Sequence, residues 1–276
     1  MKDFILAVGQ WPVVPEKETN LARAEAFLRS AAREGASLCL LPEMFQAPYE
    51  LPLIEASAEE EDGPTLTRIR GLARELALHV VAGSFCERRG ASLHNSSFVV
   101  GPRGETLGVH RKIHLFDASL STVALRESSV LTGGEMPLVV ETPLCRLGVA
   151  ICYDARFPAV FRYFEEQGVD VVVLPAAFSQ ETGGAHWHVL MCSRAVDYQV
   201  YLAAACPAPN RTSKYVAYGH SIIVDPWGEI LAEAGESEAA IFAEVSAARL
   251  AEVRERLPLL RHRRKDLYRR WFKQGE

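Results

Sequence analysis

The chain has 276 residues, 49% of them hydrophobic, and a formal net charge of −5. That length can bury a sizeable core, as one large domain or two small ones, and the charge gives no reason to expect a nucleic-acid or membrane partner. No apolar run is long enough to cross a bilayer, the run at residues 4–8 is too short for a signal peptide, and the six cysteines show no CxxC pair and no metal-ligand spacing, so a cytoplasmic, reducing location with no metal and no cofactor is expected.

Residues 4–8 read as a short buried strand. Thr19 or Asn20 can cap a helix to about Glu34, with Leu21, Ala24, Leu28, Ala31 and Ala32 on one face and Gly35 as its stop. Residues 37–41 form a second strand, cut off by Pro42, and a loop with Glu43, Phe45, Pro48 and Tyr49 follows. Pro64 opens a helix bearing Leu66, Ile69, Leu72, Ala73 and Leu76, and residues 80–84 form the next strand. Residues 95–100 and 106–110 flank Gly101-Pro102-Arg103-Gly104, a hairpin signal. From Lys112 to Met136 the pattern is irregular, as in a long functional loop. Strands then follow at 138–141 and 147–151, a helix to about Gln167, a strand at 169–174, a helix at 186–199, a strand at 201–205, and a hairpin of 222–224 with 229–231.

Two internal echoes point to a duplication. Gly35-Ala36-Ser37-Leu38-Cys39-Leu40-Leu41-Pro42 resembles Gly168-Val169-Asp170-Val171-Val172-Val173-Leu174-Pro175, and Val99-Val100-Gly101-Pro102-Arg103-Gly104-Glu105 resembles Ile223-Val224-Asp225-Pro226-Trp227-Gly228-Glu229. Two mixed sheets, each with helices on one face, can bury their free faces against each other. The expected fold is therefore an α/β four-layer α-β-β-α sandwich with an internal pseudo-two-fold repeat, a single domain over 1–276 with 249–276 as a C-terminal arm. The echo also places Glu43 after one strand where the other repeat has Ala176, so Glu43 is either a working carboxylate at a strand end or an ordinary loop acid.

The run 147–158 is an apolar strand that ends in Cys152 and turns polar at once. Asp154 and Pro158 are helix-start signals, so Cys152 would stand at a strand-to-helix elbow, where nearby backbone N–H groups favour a thiolate and offer donors to an oxyanion. The competing reading is a buried structural cysteine. A cysteine nucleophile needs a base and an oxyanion stabiliser. His220, at the start of a strand, is a candidate base. His186 and His188 are two apart, share no helix face and do not resemble a metal pair. His110, Arg111, Lys112 and His114 are either a solvated basic cluster or, through Lys112, a cation aimed into the crevice.

Three segments carry a resemblance. Leu41-Pro42-Glu43-Met44-Phe45, His110-Arg111-Lys112-Ile113-His114-Leu115-Phe116-Asp117 and Ile151-Cys152-Tyr153-Asp154-Ala155-Arg156-Phe157-Pro158 are similar to the three motifs of the nitrilase superfamily of carbon–nitrogen hydrolases, which use Glu, Lys and Cys in that order on an α-β-β-α sandwich. Phe45-Gln46-Ala47-Pro48-Tyr49, Thr182-Gly183-Gly184-Ala185-His186-Trp187, Ser193-Arg194-Ala195-Val196-Asp197, Cys206-Pro207-Ala208, Tyr218-Gly219-His220-Ser221 and Asp225-Pro226-Trp227-Gly228-Glu229 resemble omega-amidases most.

The resemblance implies an amidase for a small dicarboxylate half-amide, alpha-ketoglutaramate or succinamate, working through a cysteine thioester. Cys152 would be the nucleophile, Glu43 the proton acceptor, and Lys112 with the Tyr153 backbone N–H the oxyanion donors, while Glu127 would keep Lys112 charged. Arg156 would clasp the substrate carboxylate, with hydroxyls from Thr182 and Tyr49 and an apolar wall from Phe178; the alternative for Arg156 is an ion pair with Asp154 or Glu165. Alternative functions are a deaminated-glutathione amidase, a carbamoyl-amide hydrolase, or a non-catalytic binding protein on the same fold. The segment 249–273 carries ten Lys or Arg against three acids, interleaved with Leu257, Leu260, Trp271 and other apolar residues. It reads as an arm packing on the domain or on a second subunit rather than as a nucleic-acid patch, and the resemblance implies a homodimer or larger homo-oligomer.

Overall fold

The computed structural model describes residues 1–121 and 124–272. In chain order its elements are β1 (Phe4–Gln10), α1 (Lys17–Arg33), β2 (Ala36–Leu40), α2 (Leu51–Ala56), α3 (Pro64–Leu76), β3 (His79–Arg89), β4 (Ser92–Val100), β5 (Thr106–Arg111), β6 (Asp117–Ser119), β7 (Ala124–Arg126), β8 (Leu138–Glu141), β9 (Arg146–Val149), α4 (Pro158–Glu166), β10 (Val171–Pro175), α5 (Gln180–Tyr198), β11 (Tyr201–Ala205), β12 (Ile222–Val224), β13 (Ile230–Glu233), β14 (Ala239–Val245), α6 (Ala247–Arg256), α7 (Leu259–His262) and α8 (Lys265–Phe272).

Two six-stranded mixed sheets result, ordered β14-β1-β2-β3-β4-β5 and β8-β9-β10-β11-β12-β13. Read in that direction, both sheets run antiparallel, parallel, parallel, antiparallel, antiparallel. The repeat read from the sequence is thus a repeat of sheet topology, with β2 matching β10 and the β4–β5 hairpin matching β12–β13. The strand that flanks β1 was not anticipated. It is β14, which arrives from the far end of the chain and pairs with β1 from Phe4↔Val245 to Gln10↔Ala239.

Alternation along each strand sorts the apolar side chains into layers. Leu6, Val8, Leu38 and Leu40 of one sheet pack with Leu147, Val149, Val171 and Val173 of the other in the central core. The outward face of the first sheet buries Leu21, Leu28, Ile69 and Leu72 of α1 and α3, and that of the second buries Phe161, Phe164, Trp187 and Met191 of α4 and α5. This is the expected α-β-β-α sandwich. Among the described residues no helix is long and apolar enough to cross a membrane.

Several boundaries differ from the sequence reading, each for a local reason. Helix α1 starts at Lys17, with Glu16 at its cap position. Asn20 lies inside the helix, where its side chain bonds the backbone of Val14 and Gln46 instead of capping. Helix α5 begins six residues early, because Ser179 accepts from the Thr182 N–H and starts the helix ahead of Gly183 and Gly184. The irregular segment after Lys112 holds the short β6–β7 pair and a 3-10 turn at Glu127–Ser129. In the C-terminal stretch Leu250 and Val253 of α6 are buried, and Arg254, Arg263 and Lys265 pair with Asp170 and Glu165. Those basic side chains are therefore engaged within the chain, while Trp271 is exposed.

The two glycines of α5 should respond in opposite ways. Gly184→Ala adds a Cβ with no neighbour within 4 Å. It should raise the calorimetric melting midpoint by about 1–3 °C, since interior Gly costs roughly 0.5–1 kcal/mol against Ala. Gly183→Ala should lower the midpoint, because its Cβ would lie 2.1 Å from the Tyr218 ring.

Candidate active site

Glu43 is carried on the turn after β2, and a bulge in β3 receives that turn. The β3–β4 register slips between Ala82 and Phe85. Gly83 there has φ +35°, and a Cβ on it would lie 2.1 Å from the Pro42 carbonyl, so the close approach requires glycine. Ser84 closes the join: its N–H donates to Pro42 O (3.2 Å), its Oγ accepts from Met44 N (3.2 Å) and its carbonyl accepts from Phe45 N (3.2 Å). Glu43 is left fully buried between the strand end and the core.

Lys112 follows the end of β5. Its N–H donates to Asn95 O and its carbonyl accepts from Gly134 N, both at 2.8 Å, which pins the backbone on either side. The ammonium is fully buried. Its Nζ donates to Glu43 Oε1 (3.0 Å), to the Tyr49 hydroxyl (3.0 Å) and to Glu127 (2.9 Å to Oε2). Tyr49 also bonds both carboxylates, Asn95 Nδ2 donates to Glu43 Oε1 (2.8 Å), and Phe116 N–H donates to Glu127 Oε2 (2.5 Å). Burial by itself would lower the Lys112 pKa, but Glu127 and Glu43 outweigh it and hold the amine charged. Glu43 is pushed above the usual carboxylate range by burial and by Glu127, against the pull of Lys112. Its Oε2 is buried with no conventional hydrogen-bond partner, and Glu43 interacts directly with the Cys152 side chain.

Cys152 stands just beyond β9 at the first residue of a 3-10 turn, Cys152–Arg156, with the left-handed φ of 45° that non-glycine residues rarely adopt. The elbow read from the sequence is present, but it does not favour a resting thiolate. Burial and the Glu43 charge raise the Cys152 pKa well above normal, and Lys112 and the Ala177 N–H only partly offset them. The thiol keeps its proton until a base takes it.

Asp154, read from the sequence as a helix-start residue and as an alternative partner for Arg156, ties this elbow to the Lys112 segment. Its carboxylate accepts from Ile151 N (3.1 Å), His114 N (3.0 Å) and His114 Nδ1 (2.8 Å), and lies 3.0 Å from His110 Nε2. Burial opposes ionisation, yet the hydrogen bonds from His110 and His114 prevail and hold the acid far below its usual range. The available signal was the pair of histidines two residues either side of Lys112, the same distance by which Asp154 follows Cys152.

Cys152 opens into a cavity also lined by Tyr49, Phe116, Tyr153, Arg156, Ala177, Phe178, Thr182 and Tyr215. The Arg156 guanidinium lies 4.9 Å from the centre of the Phe178 ring, and His186 Nδ1 is 3.2 Å from its Nη1. Among the described residues Arg156 makes no ion pair: Asp154 is held by the two histidines and Glu165 by Arg263 and Lys265. Thr182 Oγ1 lies 3.1 Å from Ser179 Oγ, and the Tyr49 hydroxyl faces the Lys112 cluster while its ring faces the cavity. His220 is remote from this group and bonds Glu233 instead. Acid, amine and thiol from three distant parts of the chain meet in one buried cluster beside a half-buried guanidinium that makes no ion pair among the described residues.

The carbon–nitrogen hydrolase family model matches residues 5–255. The chain belongs to the carbon–nitrogen hydrolase family. As a member it is an amide-hydrolysing enzyme. This carbon–nitrogen hydrolase is 42% identical to omega-amidase NIT2 of Xenopus tropicalis, over 97% of its own length and 98% of the relative's. It superposes on Saccharomyces cerevisiae Nit3, a member of branch 10 of the nitrilase superfamily, with a TM-score of 0.87 and 35% identity, covering 95% of this chain and 97% of that one. A solved mutant of the amidase from Nesterenkonia sp. AN1, whose active-site cysteine carries acrylamide by Michael addition, has a TM-score of 0.82 at 27% identity, over 97% and 99% of the two chains.

Replacing Asp154 by Asn in this hydrolase should free both the Cys152 elbow and the Lys112 segment. Breaking a buried charged network of this kind costs about 3–5 kcal/mol. Urea unfolding should show that loss, and turnover should fall with it.

Proposed function

We propose that this enzyme is an omega-amidase, hydrolysing the primary amide of a small dicarboxylate half-amide, of alpha-ketoglutaramate or succinamate type, to the acid and ammonia. The observation that carries the substrate class is Arg156, a guanidinium with no ion pair among the described residues, lying over Phe178 at the cavity that Cys152 lines. A planar guanidinium suits a carboxylate bidentately. The similarity to omega-amidases over nearly the full chain supports the same reading.

In the mechanism, Cys152 Sγ attacks the amide carbon as Glu43 takes the thiol proton. Lys112 Nζ and the Tyr153 N–H hold the oxyanion, an arrangement in which loss of one donor typically costs about 10²–10³ in rate. Glu43 returns the proton to the amide nitrogen, the C–N bond breaks and ammonia leaves a thioester. Glu43 then takes a proton from water as the water attacks the thioester carbon. The C–S bond breaks, the proton goes to sulfur and the acid departs. Glu127 keeps Lys112 charged and directed; Thr182 and Tyr49 offer hydroxyl groups near the bound substrate, and Phe178 its apolar wall.

Ammonia release should be fast with succinamate and slow with deaminated glutathione or an aromatic nitrile. Cys152→Ala should abolish it in a protein with an unchanged circular dichroism spectrum. Arg156→Ala should raise KM for half-amides about 10–100-fold, the value of a charged hydrogen-bonded contact; an unchanged KM would remove the carboxylate clasp.

The pH profile follows from the raised Glu43 pKa. The ionised carboxylate is the active form, so kcat/KM should fall as pH drops through a value above the usual carboxylate range. Glu127 adds to that upward shift. In Glu127→Gln the acid limb should move to lower pH while the rate falls; a limb that stays in place would separate Glu43 from the proton transfer.

A further inference from the structure

On the face of α5 away from the candidate active site, two imidazoles converge on one carboxylate. His188 of α5 places Nε2 2.7 Å from Glu233 Oε1, at the end of β13, and His220, from the turn before β12, places Nδ1 3.1 Å from the same oxygen. The donor atoms of the three residues all lie within 4.8 Å of one another. All three side chains are partly open to solvent, at 41%, 25% and 29% exposure for His188, His220 and Glu233. The adjacent pair His186 and His188, unpromising as ligands by their spacing, are separated by the fold: His186 turns to Arg156 and His188 to this cluster.

We infer that His188, His220 and Glu233 form a binding site for one divalent transition-metal ion of the zinc class. Two neutral imidazoles and a carboxylate are a ligand set for zinc, which takes N and O donors at about 2.0–2.2 Å in a tetrahedron. Tetrahedral donors at those bond lengths stand about 3.3–3.6 Å apart, so the observed 2.7 and 3.1 Å separations have to widen by about 0.2–0.9 Å, and the third pair to settle within its 4.8 Å bound, to admit the ion. Magnesium and calcium prefer all-oxygen sets and fit poorly.

The three ligands come from separate elements. An ion there would clamp α5 to the outer hairpin of the second sheet. The backbone of His220 is already linked to the cavity wall: its carbonyl accepts from Trp187 Nε1 at 2.6 Å, and Trp187 packs edge-on against Phe178 with ring centres 5.1 Å apart.

The test uses the full-length chain, stripped with a chelator and then titrated with Zn²⁺ in competition with a chromophoric chelator. One equivalent per chain should bind and raise the melting temperature. His188→Ala and Glu233→Gln should each weaken binding by at least the roughly 10–100-fold that loss of an outer-shell partner costs. These two positions are chosen because His220 has φ +56° and a change there would also disturb the backbone. Co²⁺ in place of Zn²⁺ should give the visible bands of a tetrahedral site in the wild type and not in either variant. Zinc affinity unchanged in both variants, or wild-type binding no tighter than millimolar, would overturn the inference. None of these readouts depends on which amide the enzyme hydrolyses.

Discussion

A single ammonium in a dry interior is the constraint on which the rest of this structure depends. Lys112 lies between Glu43 and Glu127 with no solvent contact. Either carboxylate alone would neutralise it. Together they leave one negative charge in excess, which adds to burial in making both Glu43 and the neighbouring thiol hard to ionise. Buried ionic groups cost stability unless every partner is in place, and here Tyr49, Asn95 and the Phe116 N–H complete most of the set. The oxygen left without a conventional bond, Glu43 Oε2, belongs to the carboxyl that interacts with the sulfur.

Such a cluster has to be held from outside, and the fold supplies rigid backbone at each corner. A bulge in β3 grips the Glu43 turn, the β4 backbone grips Lys112, and a left-handed backbone at Cys152 itself, just beyond β9, presents its thiol. Asp154 links the last two corners, so the amine and the thiol are referenced to one carboxylate. The central core of the sandwich then keeps the two sheets, and with them the acid and the thiol, in fixed register.

The duplication explains why one site exists rather than two. The repeats share sheet order and strand direction, yet Glu43 has Ala176 as its counterpart after the matching strand. The second repeat contributes the nucleophile and most of the cavity wall, the first contributes acid and amine. Strand β14 crosses back to the first sheet and completes it from the C-terminal side of the chain.

Much of this was legible in the sequence. Short apolar runs ended by Pro42 and Pro175 marked two of the parallel strands, and the two echoes implied paired sheets, because buried strands and their stops are local features. Three motifs pointed to Glu43, Lys112 and Cys152. What the sequence could not decide is what depends on distance. The pairing of β14 with β1, the role of Asp154, the inward turn of the Tyr49 hydroxyl and the opposite fates of His186 and His188 all arise from contacts between residues far apart in the chain. The ionisation of the cluster belongs there too: a helix-start signal beside Cys152 suggested a thiolate, and only burial among charges from three segments reverses that preference. Periodicity and turn chemistry act over a few residues and can be read along the chain; charge coupling and desolvation exist only once the chain has closed around them.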